Sequence, residues 1–162
     1  MALLDIVIYP ATVLHRVAKP VEEIDDAICR LLDDMTETMY AAPGVGLAAP
    51  QVNVSRRVVV VDVEESGLYQ MVNPEIIAHS GEIEWEARCL SIPDFSLVMK
   101  RSQNVTCRYL DRHGKSRVVE AADLLAVCFQ HEIDHLNGKL IVDNLSRLKQ
   151  DLYLRKLKKG KM

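Results

Sequence analysis

The sequence predicts an α+β fold: mixed, mostly antiparallel β-sheets packed around a central helix bearing an H-E-x-x-H, with an N-terminal helix and a C-terminal helix. Three observations predict it. Apolar residues recur at helical spacing near the start, after the middle and at the end of the chain. Between the first two of these segments the period shortens to two. Pro, Gly and Asn pairs stand at the changes of period, where turn chemistry is needed.

The first helix is expected over residues 22–42, where Ile24, Ile28, Leu31, Leu32, Met35 and Met39 form one stripe and Pro43-Gly44 stops it. Val58 to Val61 reads as a buried strand, and Gln70 to Val72 as another, ending before Asn73-Pro74. From Glu82 to Ala87 charged and apolar residues alternate, so Ile83, Trp85 and Ala87 share the inner face of a half-buried strand. Cys89 has the same parity, while Arg88 joins Glu84 and Glu86 on the wet side. Val105, Cys107 and Tyr109 share one face of a further strand; Asp111-Arg112-His113-Gly114 supplies a hairpin turn, and Ser116 to Val119 returns. A largely buried helix is expected over 122–136, with Leu124, Val127, Cys128, Phe129, Ile133 and Leu136 apolar and Asn137-Gly138 as its stop. The last helix, 145–159, places Leu145, Leu148, Leu152 and Tyr153 on its inner stripe, and residues 145–162 carry a local excess of six positive charges.

Composition narrows the function. The chain has 162 residues, 49% of them apolar, and 20 Lys+Arg against 23 Asp+Glu, giving a net charge of −3. That describes one globular domain over residues 1–162, and a chain of this size hides roughly 70% of its unfolded surface without disulfides or a structural metal. Any metal site is therefore expected to be functional. The balance of charge excludes a DNA binder that works through a global positive field. Cys29, Cys89, Cys107 and Cys128 form no C-x-x-C pair and read as reduced thiols. No stretch approaches the roughly 20 apolar residues of a membrane span, and the N-terminal residues lack the basic and apolar regions of a secretory signal. The expected location is the cytoplasm, or an organelle interior after removal of a targeting segment.

The chemistry begins with His131-Glu132-Ile133-Asp134-His135. Four residues of helix return the chain to about the same face and climb about 6 Å, so both imidazoles reach one cation. Glu132 sits one position round, suited to contact a metal-bound water. Leu124, Val127 and Cys128 share the histidines' face, and two imidazoles on so apolar a surface need a polar partner. A catalytic divalent site usually takes three protein ligands and keeps an open position. Neither His nor Glu follows His135 at the spacing of ordinary zinc peptidases, whereas Cys89 is expected to face inward upstream; a thiolate with two imidazoles suits zinc or ferrous iron. Small buried cysteines are more often apolar fillers, and periodicity favours Cys89 over the others only modestly. His15, His79 and His113 read as surface or turn histidines, and Phe95, Tyr40 and Tyr153 as packing.

Gly44-Val45-Gly46-Leu47-Ala48-Ala49-Pro50-Gln51, Cys89-Leu90-Ser91 and Gln130-His131-Glu132-Ile133-Asp134-His135 resemble the three motifs of peptide deformylases in the family's order. Tyr9-Pro10, Val72-Asn73-Pro74-Glu75 and Ile92-Pro93 extend the resemblance over most of the chain. It implies a hydrolase that removes the formyl group from formylmethionyl nascent peptides. Cys89, His131 and His135 would hold one divalent metal, commonly Fe2+ in the cell and often Zn2+ or Ni2+ in preparations. Glu132 would move the proton, and Gln51 and the Leu90 backbone N–H would meet the oxyanion. Val45 and Gly46 would pair with the extended substrate, and Leu124, Val127 and Cys128 would line the slot for its Met side chain. The basic C-terminal helix would suit docking to the ribosome.

The second motif departs from the family pattern, reading Ala87-Arg88-Cys89-Leu90-Ser91 where Glu-Gly-Cys-Leu-Ser is usual. A Gly before the ligand permits close substrate approach or φ > 0, and Arg supplies the second only at a cost. Either Arg88 rims the cleft and biases it towards acidic or longer peptides, or the chain is a divergent deformylase with reduced or altered activity. A metallopeptidase cutting internal amides and a non-catalytic relative pinned by its metal are the rival classes.

Overall fold

The computed structural model describes residues 3–160. Its elements are α1 (Asp26–Ala41), β1 (Gly46–Ala48), β2 (Val58–Val61), β3 (Tyr69–Ser80), β4 (Ile83–Cys89), β5 (Ile92–Arg101), β6 (Asn104–Leu110), β7 (Ser116–Ala122), α2 (Asp123–Leu136) and α3 (Arg147–Gly160). Five strands form one sheet in the order β1-β2-β3-β6-β7, every neighbour antiparallel, and β4 and β5 form a separate antiparallel pair. The expected α+β architecture around the H-E-x-x-H helix is present.

The five-stranded sheet is covered on both faces, which is why Val58 to Val61 is an unbroken apolar run. Val59 and Val61 pack with Met71, Cys107, Phe129 and Ile133 beneath α2. Val58 and Val60, on the opposite face, pack with Leu32, Met35 and Met39 of α1. Alternate residues of a strand point to opposite faces, so only a strand apolar at every position satisfies both layers. A third cluster joins Tyr9, Leu14, Ala87, Ile92 and Ile141, with Cys89, Phe95 and Tyr153 at its edge.

Several boundaries differ from the sequence reading. The first helix starts at Asp26, four residues later than expected, because Asp25 caps it: its carboxylate accepts the Ile28 N–H at 3.0 Å. The second expected strand does not end at Val72. It continues to Ser80 through Asn73-Pro74, where the pairing with β6 shifts register. Asn73 is left-handed (φ 51°) and its side-chain amide both donates to the Val21 carbonyl and accepts the Val21 N–H, so the missing Pro74 donor falls at an irregularity. Strand β5 lies in a stretch given no element of its own. The inner stripe of α3 is also corrected: Leu148 and Leu152 are 69% and 52% exposed, whereas Gln150, Tyr153, Leu154 and Leu157 are half-buried. Tyr153 fixes that rotation by stacking edge-on to Phe95 and donating its hydroxyl to the Pro93 carbonyl at 2.6 Å.

Candidate active site

Three segments far apart in the chain deliver the polar groups. Helix α2 presents His131 and His135 four residues apart, their Nε2 atoms 3.2 Å from each other. The end of β4 presents Cys89, whose Sγ lies 3.3 Å from His135 Nε2. The ligand atoms of Cys89, His131 and His135 all lie within 4.8 Å of one another. Tetrahedral coordination at bond lengths of about 2.0–2.3 Å separates its donors by about 3.3–3.6 Å, so this donor set fits a divalent ion. Within the site, the buried Glu132 Oε1 has no hydrogen-bond partner among the described residues, which is unfavourable unless the site binds something polar.

Burial sets the protonation of these groups. It depresses His131 to about 4, with Arg101 adding to the effect, and lowers His135 well below the usual imidazole range. Both rings are neutral near pH 7 and their lone pairs are free to coordinate. Burial, reinforced by the Glu132 carboxylate, pushes the Cys89 thiol up to about 12. A dication reverses that preference, since a coordinating thiol gives up its proton. Burial also raises Glu132 to about 8, against the opposing pull of Arg101, a range suited to exchanging protons near neutrality.

Gln51 follows β1 in a short 3-10 turn (Ala49–Val52) and is 1% exposed. Oε1 accepts the Ala48 N–H at 2.9 Å. Because that donor is a backbone group, the amide orientation is fixed and Nε2 must point the other way. It reaches Ser91 Oγ at 3.1 Å and Cys89 Sγ at 3.5 Å. Leu90 follows Cys89 in the β4–β5 turn and packs against the loop before β1: a Cβ on Gly44 would stand 2.8 Å from Leu90 Cδ1.

A cavity of about 840 Å³ opens over these groups. Its walls include Val45 and Gly46 on one side, Arg88, Cys89 and Leu90 on another, and Leu124, Val127, Cys128, His131 and Glu132 from α2. The structure thus brings every site residue named from the sequence to one place, with His135 buried just beneath. Arg88 is exposed at the edge of the cavity and forms an ion pair with Glu86, which shares its parity on β4, at 2.9 Å. It is absent from the residues with positive φ, so the backbone strain anticipated for Arg at this position does not arise. Tyr40 is not packing: it is 50% exposed and donates its hydroxyl to Asp62. His15, His79 and His113 are exposed, and the first two hydrogen-bond Asp143 and Ser102 at 3.0 and 3.2 Å.

The sequence reading missed Ser91, which is fully buried against Gln51, and Arg101, which lines the cavity and pairs with Asp134. The signal for Arg101 was its inward parity on β5, an element the reading did not assign.

The chain is extensively similar to known proteins. The family model for polypeptide deformylases matches residues 3–151. A peptide deformylase of Syntrophobacter fumaroxidans is 50% identical over 98% of this chain and 96% of its own length. One from Alkalilimnicola ehrlichii is 52% identical over 98% and 91%. Among solved structures, the peptide deformylase of Ehrlichia chaffeensis in complex with actinonin superposes with a TM-score of 0.95 at 39% identity, covering 99% of this chain and 98% of that one. That of Legionella pneumophila gives a TM-score of 0.91 at 46% identity, covering 98% and 95%.

Proposed function

The chain belongs to the polypeptide deformylase family, and from that premise we propose how its own residues perform the family's reaction. It is a metal-dependent hydrolase that removes the N-terminal formyl group from formylmethionyl peptides, releasing formate and a free N-terminal Met. One observation carries the assignment to residues: the convergence of Cys89 Sγ and the two imidazole Nε2 atoms beside the buried, unpartnered oxygen of Glu132.

In this reading Cys89, His131 and His135 hold the ion, with Fe2+ as the native metal and Zn2+ or Ni2+ able to replace it, as the sulfur and nitrogen donor set allows. When bound, such an ion acidifies a water and draws charge from a carbonyl oxygen. Glu132 takes the proton of the attacking water and passes it to the departing amine nitrogen as the C–N bond breaks. Gln51 Nε2 and the Leu90 N–H receive the negative charge that develops on the formyl oxygen.

Substrate is held by three surfaces. Strand β1 ends the five-stranded sheet, with β2 as its partner there, so its outer edge at Gly46, with Val45 just before it, is placed to take an extended peptide as an added strand. Leu124, Val127 and Cys128 form an apolar wall beside the histidines for the Met side chain. Arg88 and Glu86 rim the mouth, where the peptide leaves, and Arg88 favours acidic residues there. Of the two readings of the altered second motif, this one is supported by the unstrained backbone at Arg88 and by burial of Ala87 in an apolar cluster.

The catalytic unit is the whole chain, with residues 145–162 as a basic appendage. Its exposed face, which carries Lys149, Arg155 and Lys156, is a candidate surface for the ribosome. Among the described residues no helix is long and apolar enough to cross a membrane, and a cytoplasmic site of action fits an enzyme of nascent chains. The assignment is tested by an anaerobic preparation assayed for bound metal and for formate release from a formyl-Met tripeptide. Wild type should hold one ion per chain and release formate. Glu132→Ala should hold the ion and release none, and turnover surviving that change would overturn it.

A further inference from the structure

The proposed sulfur ligand and the proposed nitrogen ligands stand on different substructures. His131 and His135 belong to α2, which is packed on the five-stranded sheet. Cys89 belongs to the β4–β5 pair, which shares no strand pairing with that sheet among the described residues. A metal site needs its donors fixed to within a few tenths of an ångström, so something must set the separation of hairpin and helix.

Three consecutive residues at the end of β5 supply that link. Arg101, only 10% exposed in its side chain, donates from Nη1 to Asp134 Oδ2. The Ser102 N–H donates to Gln130 Oε1 at 3.0 Å, and Gln130 Nε2 donates back to the Ser102 carbonyl at 2.8 Å. The Asp123 N–H donates to the Gln103 carbonyl at 2.9 Å, and Gln103 Nε2 donates to Asp123 Oδ1 at 3.2 Å. Positions 123, 130 and 134 recur at helical spacing along one side of α2. Asp134 and Gln130 are sequence neighbours of the two histidines, and neither has a part in the chemistry assigned above. At the other end of the hairpin, Gln51 and the Tyr9 N–H, which donates to the Ser91 carbonyl at 2.8 Å, hold the turn after Cys89. The hairpin is thus a bar fastened at both ends, to the side of α2 adjoining the imidazoles at one end and at the turn after Cys89 at the other.

We propose that Arg101 and Gln130 are positioning residues: by fastening the end of β5 to Asp134 and along α2 they set the span between the Cys89 sulfur and the two imidazoles, and so the grip on the metal. Both act on the metal through its ligands and are not ligands themselves. The inference rests on Cys89, His131 and His135 being those ligands.

The test uses the full chain loaded with Co2+ under anaerobic conditions. The readouts are the sulfur-to-cobalt charge-transfer absorption, the rate of cobalt loss to excess chelator, and the thermal midpoint of the metal-free protein. Arg101→Met removes the ion pair. Gln130→Met keeps the side-chain length and removes the Ser102 hydrogen bonds, which guards against misfolding of the first variant. Each should lose cobalt about 10- to 100-fold faster than wild type, the usual effect of disturbing a group that supports a ligand, with a weakened sulfur band. Because Arg101 engages Asp134 through one nitrogen, Arg101→Lys should restore most of the retention. Cobalt retention and spectrum unchanged in both Met variants would overturn the proposal. So would losses equal in Arg101→Met and Arg101→Lys that merely track a lowered thermal midpoint. A wild-type cobalt form without the sulfur band would instead remove Cys89 from the ligand set, and this inference with it.

Discussion

Gly46 and Glu132 lie in direct van der Waals contact: a Cβ built on Gly46 would stand 2.3 Å from Glu132 Oε2 and 3.0 Å from its Cδ. The strand edge proposed to bind substrate is also the cradle that holds the proposed general base. A methyl group at position 46 must push the carboxylate aside, since the carboxylate is buried and the backbone beneath it is a paired strand. Gly46→Ala should therefore lower kcat by about 100-fold or more, within the range that a positioned acid–base group supplies, while metal content stays at the wild-type level. Steady-state formate release with parallel metal analysis checks this, and loss of metal together with activity would refute it.

Gln51 is aimed by the Ala48 N–H on one side and by Ser91 on the other. Gln51→Leu removes the amide donor and should reduce kcat by about 10²- to 10³-fold, as loss of an oxyanion donor does elsewhere, with little change in KM. Ser91→Ala should cost much less, because the Ala48 contact still orients the amide. Equal losses in the two variants would mean that Gln51 acts through the Cys89 turn rather than on substrate.

The metal-free protein should be most stable near pH 6.5. His131 and His135 are depressed, to about 4 and further, so below about 6.5 the unfolded chain takes up protons that the folded chain refuses, and stability falls on acidification. Glu132 works in the opposite sense. Its folded value of about 8 exceeds the ordinary 4.5, so its contribution is whole below pH 4.5 and is lost as pH rises to 8. Two imidazoles outweigh one carboxyl between 4.5 and 6.5; above 6.5 the carboxyl titrates alone. Urea melts in excess chelator across this range should show the maximum, and Glu132→Gln should abolish the decline between pH 6.5 and 8. A decline that persists in that variant would assign it to another group.

What was legible in the sequence was what one segment determines by itself. The spacing of His131 and His135 on a helix is local geometry, and the alternation from Ile83 to Ala87 fixed the side on which Cys89 would emerge. The unbroken run of Val58 to Val61 announced a strand covered on both faces. What was hidden depends on partners distant in sequence. Arg101 reads as one more charge in a half-buried stretch until Asp134, 33 residues on, is seen beside it. Ser91 acquires its meaning from Gln51, 40 residues earlier. In α3 leucines lie all round the helix, so the choice between a stripe through Leu148 and one through Tyr153 is made by Phe95 and Pro93 of the hairpin, which helical periodicity does not see.

The motif change at Arg88 gives a specificity prediction separable from stability. Arg88 and Glu86 are exposed, with side chains 76% and 53% accessible, and ion pairs of that kind contribute about 0–1 kcal/mol. Arg88→Gln should leave the thermal midpoint nearly unchanged and raise KM several-fold for formyl-Met peptides with an acidic residue near the mouth, with kcat preserved. Glu86→Gln frees the guanidinium and should lower KM for the same peptides. Insensitivity of KM to peptide charge in both variants would leave Arg88 without a part in substrate choice.

The rotation of α3 also dictates how ribosome docking must be tested. Removing residues 148–162 would take away Tyr153, and with it the hydrogen bond to Pro93 and the ring contacts to Phe95 and Tyr9, so a truncation confuses docking with loss of support near Cys89. Reversing charge at Lys149, Arg155 and Lys156, all exposed, leaves that face intact. The triple Glu variant should retain formate release from a tripeptide and lose co-sedimentation with ribosomes. The wild-type interaction should weaken steeply with added salt, as contacts to nucleic-acid phosphates do. Co-sedimentation that is equal in the two proteins, or indifferent to salt, would exclude the basic face as the docking surface.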